Sequence, residues 1–331
     1  MEDIKEPKTL LEAIEFFKSP ENCRAYLVPR RWNKGIVKCP TCGTEKVKFQ
    51  PQHNRWQCSS HHPRRQFTLK TGTIFEDSPI GLDKWLPAMW LICSNRNGIS
   101  SWELHRAMGI TQKSAWFMLQ RIRLAMQDDL AGGMLGGEVE VDETWIGGKA
   151  RNMHKARKIE VQKQGRNTGG KTAVIGVLQR GGKIRATVAP DRTKRVMQEA
   201  VRGNVEKGTQ VHSDEAAHYW RMDDEYTHNI VNHLEAYVDG NVHVNGVENF
   251  WALLKRTIGG TYVSVEPFHL FRYVDEQAFR FNNRLPMRDS DRFSCLVRKA
   301  VGKRLTYKQL TGKESERPEP SATEDEEALP F

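Results

Sequence analysis

Apolar residues recur along this chain at two different spacings. Over residues 9–17, Leu10, Ile14 and Phe17 fall on one side of a helix. From 82 to 127 the helical period persists. Trp85, Met89 and Ile92 mark a first apolar face. Ser100 and Glu103 then have the spacing of a capping box, a hydroxyl three residues before a glutamate. The helix they open ends at Met108-Gly109, where glycine suits a left-handed terminal position. Thr111 can cap the next helix, with Ala115, Leu119, Ile122 and Met126 as its apolar side. Beyond Gly136-Gly137 the period changes to two. Val139 and Val141, then Trp145 and Ile146, predict a strand ending at Gly147-Gly148, with Glu140 and Asp142 facing away from the two valines.

The strand pattern continues downstream. Residues 171–179 form an apolar run that reads as a buried strand, turning at Gly181-Gly182 into 183–189. A short helix is expected over 192–203, a second acid-ended strand over 209–214, and helical character over 215–220. Three antiparallel strands, a helix and a further strand ending in acid make the order of an RNase H-like α/β core, in which the ends bearing Asp142 and Asp214 can be neighbours. The last informative helix spans 245–256. Glu248 and Lys255, seven residues apart, fall within about 20° of each other, and Val247, Phe250, Leu253 and Leu254 group on the far side.

Cysteine spacing adds a separate module. Cys39-Pro-Thr-Cys42-Gly43 and Cys58-Ser-Ser-His61 give a CxxC and a CxxH pair, the pattern of a zinc ribbon. The predicted ligands are Cys39, Cys42, Cys58 and His61, with His62 an alternative fourth ligand and Cys23 a competitor. Such Cys3His ligation is closed and structural, bracing a basic module that carries Arg55, Arg64, Arg65 and Lys70. The helices around Thr111 make a helix-turn-helix, whose Gln112, Lys113, Gln120, Arg121 and Arg123 are expected to be exposed towards DNA, an ordinary helical hairpin being the alternative.

Charge agrees with a polyanionic partner. The chain has 331 residues and a net charge of +10, although residues 313–331 hold seven acidic and only two basic side chains. The body is therefore more basic than the total, as phosphate contact requires. A basic, glycine-containing loop is expected over 149–171. No apolar run reaches the ~18 residues that span a membrane, the first residues lack a signal peptide's apolar core, and six cysteines do not make a secreted disulfide scaffold. A protein of the cytoplasm and nucleoid is expected, with a disordered acidic tail over 315–331.

The chain resembles insertion-sequence transposases of the DDE class, in the branch with an N-terminal zinc ribbon and an RNase H-like, integrase-like catalytic domain. The residues that carry the resemblance are Cys39-Pro-Thr-Cys-Gly43, Val141-Asp-Glu-Thr-Trp-Ile-Gly-Gly-Lys149, His212-Ser-Asp214, His243-Val-Asn-Gly-Val-Glu-Asn-Phe-Trp-Ala-Leu-Leu-Lys-Arg256, Gly260-Thr-Tyr262 and Phe279-Arg-Phe-Asn-Asn-Arg284. They spread over about residues 11–284. The resemblance implies Asp142, Asp214 and Glu248 as metal-binding catalytic acids and Lys255 as the basic residue beyond them, with Asn245 competing for the third position. It also implies Mg²⁺ or Mn²⁺ in the catalytic site, terminal inverted repeats and target DNA as partners, and a homodimer or higher oligomer on DNA. Three carboxylates supply the hard oxygen ligands that two ions about 3.5–4 Å apart need for in-line phosphoryl transfer. His212, His218, His233 and His243 are read as packing or phosphate-contact residues. The expected fold class is α+β multidomain: a first helix and zinc ribbon (1–75), a helix-turn-helix domain (80–130), the catalytic core (136–290) and a C-terminal extension (291–331). A nuclease or resolvase on the same core, and a zinc-ribbon DNA-binding protein that has lost catalysis, are the rival classes.

Overall fold

A computed structural model of the chain describes residues 6–127, 133–148, 159, 170–190, 193–214, 225–231, 244–284 and 286–312. The elements in order are α1 (Leu10–Phe17), α2 (Pro20–Arg31), β1 (Val47–Gln50), β2 (Arg55–Cys58), β3 (Gln66–Phe67), α3 (Leu82–Ser94), α4 (Ser101–Met108) and α5 (Gln112–Met126). They are followed by β4 (Glu138–Ile146), β5 (Thr172–Gln179), β6 (Ile184–Val188), α6 (Lys194–Arg202), β7 (Gln210–Asp214), β8 (Thr227–Val231) and α7 (Asn245–Thr257). A π-helical turn (Ile258–Tyr262), α8 (Leu270–Asn282), α9 (Asp289–Lys299) and α10 (Tyr307–Leu310) complete them.

Four of the five N-terminal helices begin where side chains satisfy free amides of the first turn, whereas α3 follows Gly81 with no side-chain cap. Thr9 and Glu12 form a capping box on α1, Ser19 caps α2, Ser100 and Glu103 cap α4, and Thr111 caps α5. Gly109 closes α4 at φ +60, a conformation with a steric penalty for other residues. The apolar faces of α1, α2, α3 and α5 meet in one core that also takes in Phe293 and Leu296 of α9. Phe293 lies 5.6 Å from the Tyr26 ring and 4.9 Å from Trp90, so the C-terminal helix is built into the N-terminal helical layer.

Helix α2 was not apparent from the pattern, because Pro29 and a run of arginines obscure it. Ser19-Pro20 is nonetheless a cap followed by proline at the first helical position, and Cys23, Tyr26 and Leu27 are its buried side. A second departure concerns α5. Gln120, Arg121 and Arg123 are buried rather than exposed. Arg121 donates to the carbonyls of Leu305, Ile74 and Glu76, and Arg123 pairs with Glu276 at 2.6 Å. Helices pack on several sides of α5, so its polar positions serve the core. Among these five side chains, Gln112 and Lys113 in its first turn retain exposure.

The larger sheet has the order β6-β5-β4-β7-β8. Strands β4, β5 and β6 form an antiparallel meander, and β7 and β8 run parallel to β4. Alternation sorts the side chains of β4 between two layers. Val139 and Val141 join Ile175, Val177, Met197 and Val201 beneath α6. Ile146 joins Val174, Leu178, Val247, Phe250 and Trp251 beneath α7 and α8. The sheet is therefore covered on both faces. The expected helix at 215–220, the basic loop over 149–158 and 160–169, and the tail from 313 lie outside the described residues.

Candidate active site and metal centre

The N-terminal sheet holds a four-residue cluster. Cys39, Cys42, Cys58 and His62 bring one ligand atom each to within 4.8 Å of one another. Gly43, at φ +72, lets its amide turn back to the Cys39 carbonyl at 2.9 Å, and Cys58 ends β2. The Cys42–Cys58 sulfur separation is 3.7 Å, and Cys39 Sγ lies 3.4 Å from His62 Nε2. A tetrahedral ion with Zn–S near 2.3 Å and Zn–N near 2.0–2.1 Å requires edges of about 3.8 and 3.5 Å. The donor set and spacing thus fit structural zinc. The fourth position belongs to His62, not His61, which is exposed, and Cys23 is buried against the carbonyl of Phe17 instead. Spacing alone could not choose between adjacent histidines, because the choice depends on how the chain turns after β2.

Around this cluster, Arg64 and Arg65 are exposed and line an open groove of about 520 Å³ with Gln57 and Gln66. Lys70 differs from its expected role. Its Nζ donates to the carbonyls of Ser78 and Ile80 at 3.0 and 2.6 Å, and burial lowers its pKa. It ties the connection before α3 together.

The second site lies where β4, β7 and α7 meet. The parallel register pairs Glu140 with His212 and Val141 with Ser213. Continued by one residue, it sets the backbone of Asp142 beside that of Asp214. The Asp214 side chain lies outside the described residues, as do His218, His233 and His243. Asp142 Oδ1 accepts from the amide of Glu143 at 2.7 Å, and its Oδ2 accepts from the indole N–H of Trp251 at 2.9 Å. Carboxylate oxygens have more than one lone pair, so these bonds orient Asp142 and leave acceptor capacity.

Helix α7 approaches closely because two glycines remove side chains at the contact. Gly176 is the cross-strand partner of Asp142, and a Cβ there would stand 2.6 Å from Trp251 and 3.0 Å from Val247. Gly246, in the first turn of α7, would place a Cβ 2.6 Å from Leu178. Val247, Phe250, Trp251 and Leu254 are buried, while Asn245, Glu248 and Lys255 are exposed. Residues three and seven apart share a helix face. Asn245 and Glu248, both candidates for the third position, therefore sit one turn apart on the side that also carries Lys255.

Polar groups deeper in the sheet support this arrangement. Glu140 is 1% exposed. It accepts from Arg180 Nε at 3.0 Å and from the Val247 amide at 3.0 Å. Arg180 also pairs with Glu138 at 2.5 Å and holds that carboxyl below its ordinary pKa by hydrogen bonding. His212 is buried, with Nε2 3.4 Å from Glu138, and its pKa is lowered by burial and then by Arg180. Sequence reasoning missed Glu140, Arg180 and Trp251. Gly176 in the middle of an apolar strand was the available signal, since such a glycine marks close approach by another element.

Residues 18–62 match the transposase zinc-ribbon domain, and residues 134–282 match the ISXO2-like transposase domain. The chain belongs to that insertion-sequence transposase family. It is 28% identical over 255 residues to an uncharacterized protein in transposable element ISH50 of Halobacterium salinarum, covering 73% of this chain and 84% of that protein. An uncharacterized transposase-like protein of Haemophilus influenzae is 26% identical over 102 residues, 30% of this chain and 82% of that one. No solved structure gives a significant match. Among the described residues, no helix is long and apolar enough to cross a membrane.

Proposed function

We propose that the chain is a DDE transposase that cleaves DNA strands at the ends of an insertion sequence and transfers them to target DNA. The observation that supports this reading is the parallel β4–β7 register, with Val141 opposite Ser213, which continued by one residue would bring the backbones of Asp142 and Asp214 together. The order β6-β5-β4-β7-β8 supports an RNase H-like core, with its first acid on the central strand.

Asp142, Asp214 and Glu248 would hold Mg²⁺ or Mn²⁺, with Asn245 the alternative to Glu248. The chemistry these ions would supply is activation of a water or a DNA 3′-hydroxyl and stabilisation of the leaving oxygen in an in-line displacement. The protein's own part is positional. Trp251 fixes the Asp142 carboxylate, and α7 presents Glu248 and Lys255 from one exposed face. Lys255 contacts a phosphate. The zinc ribbon, with Arg64 and Arg65, and the first turn of α5, with Gln112 and Lys113, supply backbone contacts to terminal repeats. Assembly is as a dimer or higher oligomer on paired ends, within the bacterial or archaeal cytoplasm and nucleoid.

The test is metal-dependent cleavage and joining of DNA carrying the element's ends. Asp142→Asn, Asp214→Asn and Glu248→Gln should bind ends and fail to cut, while Asn245→Ala still cuts. Cutting by Glu248→Gln with failure of Asn245→Ala would move the third position to Asn245. A wild-type chain that binds ends yet neither cuts nor joins in Mg²⁺ or Mn²⁺ would refute the proposal.

A further inference from the structure

We infer that Glu140 is a positioning residue, which fastens the first turn of α7 to the strand bearing Asp142 and thereby sets where Glu248 stands. The inference deepens the transposase reading and, for its catalytic consequence, rests on it.

An ionised carboxylate withdrawn from water requires strong partners. Its partners include groups from two different elements: Arg180, just beyond β5, and the Val247 amide of α7. The second bond has a local cause. The first amides of a helix have no partner within it, and Val244, which precedes α7, provides no side-chain cap. Glu140 supplies this acceptor from the sheet, with its negative charge at the positive end of the helix. Gly246 makes the approach possible, since a Cβ there would stand 2.8 Å from Glu140 Oε2. Arg180 is itself fixed, because its amide donates to the Glu138 carbonyl at 2.9 Å and its guanidinium also engages the Glu138 carboxylate.

The arrangement bears directly on the catalytic geometry. Glu140 and Asp142 lie two residues apart on one face of β4, the face covered by α7. Each grips α7 at a different turn, Glu140 through Val247 and Asp142 through the Trp251 indole. Glu248 is the residue after Val247, so the anchored amide adjoins the proposed third ligand. Two attachments fix both the height and the rotation of the helix on the sheet, whereas Trp251 alone would leave its first turn free to pivot.

The experiment uses the full zinc-loaded chain with Glu140→Ala and Glu140→Gln. The readouts are thermal unfolding, hydrogen exchange of the amides at 247–250, Mn²⁺ affinity by calorimetry, and single-turnover strand cleavage. Glutamine keeps an acceptor for the Val247 amide, so it should retain most of the exchange protection that alanine loses. In Glu140→Ala, exchange at 247–250 should accelerate about 10-fold, and Mn²⁺ affinity and cleavage should each fall about 10- to 100-fold. End binding, which uses the zinc ribbon, should be unchanged. Unchanged exchange in folded Glu140→Ala would overturn the inference, as would a glutamine variant no better protected than alanine. Should Glu140→Ala fail to fold, Gly246→Ala leaves Glu140 intact and forces the helix away from it, and unchanged exchange there would be equally fatal. A wild-type chain that neither binds Mn²⁺ nor cuts would remove the catalytic reading, and with it the role assigned to Glu140 in catalysis. The exchange data report separately on the anchor itself.

Discussion

Replacing Glu276 by glutamine removes a negative charge from a buried site shared by two guanidinium groups. Glu276 is fully buried and Arg123 is 1% exposed. Glu276 accepts from Arg123 Nε at 2.6 Å and from the Tyr262 hydroxyl at 2.6 Å, and it also pairs with Arg280. Arg123 lies over the Tyr273 ring, 4.0 Å from its centroid, and has no route to water. Removing one partner of such a pair costs about 3–5 kcal/mol, because the remaining charge is stranded. An exposed pair such as Arg304–Asp77, with side chains 46% and 64% exposed, contributes only about 0–1 kcal/mol. A urea titration of the zinc-loaded chain, followed by tryptophan fluorescence, should separate the two. Glu276→Gln should lose at least about 3 kcal/mol, while Arg304→Ala loses less than about 1 kcal/mol. The pH dependence has a definite sign. Burial by itself would raise the Glu276 carboxyl, but Arg280 and Arg123 outweigh it and hold the pKa below the ordinary 4.5. A depressed carboxylate contributes stability that is fully present above the unfolded value and lost as pH falls through the folded one. Acid sensitivity below about pH 4.5 should therefore be weaker in Glu276→Gln than in wild type. A loss under about 1 kcal/mol in Glu276→Gln would refute the reasoning, since the pair would then behave as though solvated.

Three further outcomes follow from the sites described. His62→Ala should abolish the tetrahedral Co²⁺ absorption of the substituted chain or weaken metal retention, whereas His61→Ala should leave both unchanged; the reverse would restore His61 as the ligand. Trp251→Phe removes the N–H that binds Asp142, so single-turnover cleavage should fall about 10- to 100-fold with end binding unaltered. Gly176→Ala places a methyl 2.6 Å from the Trp251 ring, and the displaced helix should cost about 1–3 kcal/mol in urea unfolding.

Much of the architecture was legible because it depends on local pattern. The alternation around Val139 and Val141 put Glu140 and Asp142 on the opposite side of β4, where α7 covers them. The spacing of Val247, Phe250 and Leu254 identified the buried side of α7. What escaped was set by contacts between distant segments. Arg121 and Arg123 look like an exposed basic face when only their own helix is considered. Their carbonyl and carboxylate partners lie 45 or more residues away along the chain. Glu140 similarly reads as an ordinary polar strand residue until Arg180 and the Val247 amide are placed against it. The choice of His62 over His61 turns on the path of the chain between β2 and β3, to which a spacing rule is blind.

The parallel pairing of β4 with β7 also makes the strand register a ruler. Val141 and Ser213 are far apart in the chain, yet they are partners in the ladder, and continuing that register by one residue would set the backbones of Asp142 and Asp214 one interstrand spacing apart, about 4.8 Å. That spacing depends on the hydrogen-bond ladder and is indifferent to how much chain runs between the strands. Lengthening the connection between Gly148 and Gly170 leaves the ladder intact. Deleting one residue between Gly208 and Asp214 would instead force a choice between two failures. Either His212 and Ser213 exchange faces, or the acid moves one step out of line with Asp142. For a protein whose relatives differ in length, the proposed catalytic geometry should therefore be far more tolerant of inserted loops than of a single slip in one short strand.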